Sequence, residues 1–190
     1  MKSTVSGLIK QLIRQLGENP ERDGLKETPK RMERMYHELL KGYDINPKSV
    51  FKRFDGEKYT GLIVVSDIDF YSLCEHHLLP FYGKIHIGYI PDGHILGLSK
   101  FARLVEIFAR RLQLQERLTK QIADTLLNNM KPKGVVVYCE AEHLCMSMRG
   151  IKKTNSRAKT LITTGLFKTK KNLLEQFFNQ ININQQKKKI

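Results

Sequence analysis

Two short runs far apart in the chain, Cys74-Glu75-His76-His77 and Glu142-His143-Leu144-Cys145, carry soft metal ligands at telling separations. Cys74 and His77 are three residues apart, so one turn of chain can present both to a single ion. Cys145 must arrive from elsewhere, which demands a fold that brings a second segment, such as a neighbouring strand, to the same point. Two thiolates and one imidazole leave a tetrahedral zinc one ligand short, and an open position is what separates a catalytic zinc from a structural one. A fourth protein ligand would close the site, and the candidates are His76, His86, His94, His143 and Cys139. Cys139 sits inside an apolar strand and reads as a core thiol. His86 and His94 lie on or beside a strand and a turn, where a satisfied structural histidine is the commoner outcome, and His37 reads as surface. His76 and His143 are each flanked by an acid, Glu75 and Glu142. Either one closes the site, or both stand free beside a metal-held water of pKa about 7, where an imidazole can shuttle protons.

A chain of 190 residues with 41% hydrophobic content can bury one good core. No apolar run approaches the roughly 18 residues that would cross a membrane, and the opening Met1-Lys2-Ser3-Thr4-Val5-Ser6 lacks the pattern of a secretory signal. Three cysteines without a framework spacing argue for a reducing compartment, hence the cytoplasm. Net charge is +14, and from Ile151 onward ten basic residues face one acid, Glu175. Such a bias attracts polyanions without naming one. The Asn- and Gln-rich end reads as a disordered basic tail over 181–190.

Helical spacing runs from Val5 to Leu16 and stops at Gly17. Thr28 reads as the cap of a second helix, with Pro29 first in it and Gly42 beyond its end. Both helices form an N-terminal arm over 1–60. Strand signals follow at Leu62–Val65 toward Tyr71, at Ile85–Tyr89, at Ile95–Leu98, at Gly134–Cys139 with Cys145–Met148 as its partner, and at Thr160–Thr163. Two helices separate them, one capped by Ser99 and one from Gln115 to about Met130, and a short one closes the chain near Leu173–Phe178. The class is α+β, with a catalytic domain over 61–180.

Gly97-Leu98-Ser99-Lys100 leads from strand to helix, and a helix N-terminus with Lys100 and Arg103 one turn apart suits an anion. Arg149 adds a cation close to Cys145, and several cations beside a zinc centre suggest a triphosphate. In Gln115-Glu116 a carboxylate can accept from the N1–H and exocyclic amine of guanine, which adenine cannot match. The same pair also fits an ordinary helix-capping turn.

Together these runs, with Glu27-Thr28-Pro29-Lys30-Arg31 and the stretches Arg110–Thr119 and Glu140–Gly150, resemble the GTP cyclohydrolase I family in order and spacing from about residue 20 to 168. The resemblance implies a T-fold: an antiparallel four-stranded sheet with two helices on one face, preceded by the helical arm. It implies a homodecamer with active sites between subunits. Zinc falls on Cys74, His77 and Cys145. His76 and His143 match catalytic histidines, Gln115 and Glu116 the guanine anchor, and Arg31, Lys100, Arg103 and Arg149 the triphosphate contacts. Ser99 matches a residue near the ribose and ring-closing chemistry. The implied reaction opens the guanine imidazole ring of GTP at C8 with His143 protonating N7, releases formate, and rearranges the remainder to 7,8-dihydroneopterin triphosphate. The chain departs from the family pattern at Leu161-Ile162, where hydroxyls are usual, and at Asn172–Phe177.

Two rivals make different demands. A basic zinc-containing RNA-binding module needs a closed metal site and aromatics beside the basic tail, which offers only Phe167, Phe177 and Phe178. Another T-fold purine or pterin enzyme would share the guanine-anchoring Glu but not both metal-ligand runs. The sequence therefore points to a GTP-binding hydrolase that needs neither nucleic acid nor a membrane.

Overall fold

The computed structural model describes residues 4–51, 53–55 and 59–187. They divide into two compact units, Met1–Lys41 and Gly42–Ile190. In the first, α1 (Val5–Gln15) and α2 (Thr28–Leu39) each follow from local chemistry. The Thr4 hydroxyl accepts the Gly7 N–H at the start of α1, and Gly17, at φ 86°, turns the chain beyond its end. Left-handed backbone there is what lets Gly17 and Glu18 donate back to Arg14 and Ile13. Thr28 is the first residue of α2 rather than its cap; Glu27 occupies the cap position without a side-chain bond.

From Gly42 the second unit takes in the rest of the 3-10 turn Lys41–Asp44, a second 3-10 turn, Pro47–Val50, and the short strand β1 (Arg53–Asp55). The sequence assigned these residues to the arm. The Gly42 N–H instead bonds the Arg110 carbonyl, a Cβ on Gly42 would meet the Ile107 carbonyl at 2.1 Å, and Val50 joins the main core. Then come β2 (Ile63–Cys74), β3 (Pro80–Ile90), β4 (His94–Leu96), α3 (Leu98–Ala109), β5 (Leu112–Gln113), α4 (Gln115–Met130), β6 (Gly134–His143), α5 (Leu144–Ser147), β7 (Ala158–Thr163), α6 (Leu166–Thr169) and α7 (Lys171–Lys187).

Strand order in the main sheet is β5-β2-β3-β6-β7. The sheet thus has five strands where the resemblance implied four. Four are antiparallel neighbours, and two-residue β5 adds to the edge in parallel with β2. β4 pairs with β1 in a separate two-stranded ribbon. Ser99 is not a cap: α3 starts at Leu98 with Gly97 before it and no side-chain cap bond.

Alternation along the strands sends one set of side chains, including Phe81, Ile85, Ile87, Val135, Val137 and Cys139, against α3 and α4 to make the main core. The other face is also covered at one end. There Val136 packs with Phe167, Phe177 and Ile181 from α6 and α7. A Cβ on Gly88 would lie 2.8 Å from both Phe177 and Val136, so glycine makes room for the Phe177 ring. α7 reaches Lys187, well into the segment read as disordered, with Ile181 1% exposed. The expectation for 188–190 lies outside the described residues.

Candidate active site

β2 ends at Cys74, and the chain turns through Glu75-His76-His77 into β3. The Leu78 N–H donates to the Cys74 carbonyl at 2.8 Å, and the Cys74 N–H to the Leu79 carbonyl at 2.9 Å. This hairpin turn presents Cys74 and His77 together. Strand register supplies the third ligand: Leu73 faces Pro80 on β3, and Phe81 faces His143 on β6. The residue two beyond His143 therefore emerges beside the hairpin. The sequence expected Cys145–Met148 to be a strand. β3 begins at Pro80 and offers nothing further to pair with, so the backbone bonds itself in the single turn of α5, with the Met148 N–H on the Leu144 carbonyl at 3.0 Å.

The donor atoms of Cys74, His77 and Cys145 all lie within 4.8 Å of one another. Among the described residues no fourth His, Cys, Asp or Glu joins them, so neither His76 nor His143 closes the cluster. The Cys145 thiol is held above its ordinary pKa by burial and by the Cys74 thiol beside it, with Arg149 opposing. Two adjacent thiols resist ionising together, and a bound cation removes that resistance. Cys139 is buried within the sheet, its thiol pushed up to about 12 chiefly by burial. His86 is buried with its Nδ1 accepting the Asp67 N–H, and His37 and His94 are exposed.

Parallel pairing of Cys74 with Gln113 brings the start of α4 alongside the hairpin turn. Arg117 then grips Glu75 with both guanidinium nitrogens. Glu116 is exposed, whereas Gln115 is 1% exposed. The Gln115 amide nitrogen donates to the carbonyls of Cys139 and Ala158 and to the Thr160 hydroxyl. Its oxygen lies 2.8 Å from His143 Nε2. The His143 ring stacks on Phe81 at 4.6 Å and 7°. Burial lowers the His143 pKa, with the Glu116 charge acting the other way. His76 is exposed, its ring edge-on to His77 at 6.1 Å.

A profile of the family described as GTP cyclohydrolase I matches residues 5–182 of this chain. The chain belongs to the GTP cyclohydrolase I family. A GTP cyclohydrolase 1 of Clostridium kluyveri is 48% identical over 182 residues, 96% of this chain and 98% of its own. One of Streptococcus agalactiae is 53% identical over 161 residues, 84% and 86% of the two chains. One of Carboxydothermus hydrogenoformans is 49% identical over 169 residues, 88% of each. A solved archaeosine synthase QueF-Like overlaps 55% of this chain at 17% identity with a TM-score of 0.41, too slight a likeness to bear on the site.

Within this member of the GTP cyclohydrolase I family, the residues expected to act fall into distinct groups. Cys74, His77, Cys145, His143 and Glu116 are linked by the β2–β3 turn, the end of β6 and the start of α4. Ser99, Lys100 and Arg103 sit on the first turns of α3, Ser99 and Arg103 exposed, and Arg149 is exposed just after α5. Arg31 is exposed on α2 of the N-terminal unit. The Gln115 side-chain amide is engaged by Cys139, Ala158, Thr160 and His143, where the resemblance gave it to guanine. Sequence reasoning also missed Phe81, Thr119 and Thr160, whose roles depend on neighbours from other strands.

Proposed function

We infer that this chain is a GTP cyclohydrolase I, opening the guanine imidazole ring of GTP by hydrolysis, releasing formate, and rearranging the remainder to 7,8-dihydroneopterin triphosphate. The observation that carries the reading is the three-donor cluster of Cys74, His77 and Cys145, in a chain that matches the family from residue 5 to 182. Two sulfurs and an imidazole nitrogen at that separation suit zinc, whose bonds of about 2.3 Å to sulfur and about 2.0–2.1 Å to nitrogen put tetrahedral donors roughly 3.5–4 Å apart. Cys74, His77 and Cys145 would hold the zinc, which would supply an acidified water with a pKa of about 7.

The remaining work belongs to side chains. His143 delivers a proton to purine N7, and His76, next to a ligand on the same turn, moves protons in the hydrolytic steps. Glu116 accepts from guanine N1–H and its amine, selecting guanine over adenine. Lys100, Arg103, Arg149 and Arg31 bind the triphosphate, so attraction far from the reacting carbon orients it. Ser99 acts beside the ribose during ring closure. The basic surface serves this polyanion rather than nucleic acid.

The site is shared between subunits of a homodecamer in this reading. Its support is apolar exposure next in sequence to functional residues: Leu98 is 66% exposed before Ser99, and Met148 60% and Ile151 64% flank Arg149. Exposed apolar side chains of this size suit cover by another copy. We place the enzyme in the cytoplasm, where its three unpaired cysteines stay reduced. Among the described residues no helix is long and apolar enough to cross a membrane.

Incubation of the zinc-loaded protein with GTP tests the reading. Formate and the dihydroneopterin chromophore should appear together, vanish after EDTA treatment, and return with zinc. Zinc-loaded protein that leaves GTP intact would sink it.

A further inference from the structure

Only one end of the Gln115 amide can face His143. Its Nε2 lies 3.2 Å from the Cys139 carbonyl, 3.1 Å from the Ala158 carbonyl and 3.2 Å from Thr160 Oγ1. Carbonyls only accept, so an amide turned end for end would press Oε1 against two backbone oxygens. The hydroxyls around it fit this orientation. Thr119 Oγ1 donates to the Gln115 carbonyl at 2.8 Å and lies 2.6 Å from Thr160 Oγ1. Thr160 can donate to Thr119 or to the Cys139 thiol beside both hydroxyls, and in either case its Oγ1 is free to accept from Gln115.

Oε1 is therefore the atom 2.8 Å from His143 Nε2. An amide oxygen also only accepts, so the proton in that contact sits on the imidazole. Stacking on Phe81 holds the ring plane against rotation. We propose that Gln115 is a positioning residue that fixes neutral His143 as the Nε2–H tautomer, leaving Nδ1 as the one nitrogen that exchanges a proton with substrate. The inference rests on the reading of His143 as proton donor. In the charged ring both nitrogens carry hydrogen; Nδ1–H passes to purine N7, and the ring returns to the Nε2–H form. Gln115 accordingly acts behind the histidine and not on guanine.

Neutron diffraction from crystals of the zinc-loaded protein, at mildly alkaline pH, reads the tautomer without turnover. Deuterium on Nε2 with Nδ1 bare is expected; the reverse pattern would overturn the proposal. Gln115→Met keeps length and burial but removes both amide ends. Its kcat for GTP should fall about 10- to 100-fold, with KM and zinc content close to those of the parent. A raised KM with unchanged kcat would return Gln115 to guanine recognition and refute the assignment. If the variant does not fold, the neutron map of the parent protein still decides. Parent protein that releases no formate would defeat the cyclohydrolase reading, while the map continues to judge the tautomer.

Discussion

Burial lowers the His143 pKa against the Glu116 charge, Gln115 and Phe81 set the ring's orientation, and the ring lies outside the donor cluster. His143→Ala should keep zinc and GTP affinity while formate release falls about 10²- to 10⁴-fold, the usual contribution of a general acid. Metal analysis alongside a formate assay checks this; near-parent formate release would remove His143 from the chemistry. Glu116 is exposed, and in the proposed function it belongs to recognition. Glu116→Ala should raise the KM for GTP about 10- to 100-fold, as expected for lost hydrogen bonds to a charged group, without changing zinc content. Cys139 offers a third check, since a thiol at about 12 is almost wholly protonated at neutral pH and thiolate is the reactive form. After chelation, alkylation mapped by mass spectrometry should label the partly exposed Cys145 first and spare Cys139 until the protein is unfolded. Labelling of all three at one rate would contradict the burial argument.

Elements with strong periodicity are legible in the amino-acid sequence itself. α4 begins and ends where its apolar spacing indicates, and β3 and β6 contain the runs that mark them as strands. The misses share a cause. Cys145–Met148 is a short apolar run whose conformation depends on whether a partner strand is present, and β3 has already ended there. The Asn- and Gln-rich end looks too polar to order, yet Phe177 and Ile181, four apart, place two anchors on one face of α7, and the open sheet face behind Gly88 receives them. Phe177→Ala should cost about 3–5 kcal/mol of stability, the range for truncating a buried aromatic, measured by urea unfolding with enzyme activity retained below the transition. A loss under about 1 kcal/mol would mean that α7 does not dock there.

The proposed homodecamer would give the exposed Leu98, Met148 and Ile151 a partner. If another copy covers the surface around Arg149, Ile151→Asp should shift sedimentation toward smaller species and depress turnover of GTP, with zinc still bound. A full-sized oligomer with parent activity would place the contact elsewhere. Chemistry of the donors, their pairing within one turn at Cys74 and His77, and the family-like order of the motifs all lie in local sequence, because residue type and short spacing are local properties. The approach of Cys145, the exclusion of His76 and His143 from the metal cluster, and the commitment of Gln115 to His143 do not. Those depend on Leu73 facing Pro80, Phe81 facing His143 and Cys74 facing Gln113. Strand register is settled by packing of the whole sheet against its helices, and a shift by one residue would turn each of these side chains to the opposite face.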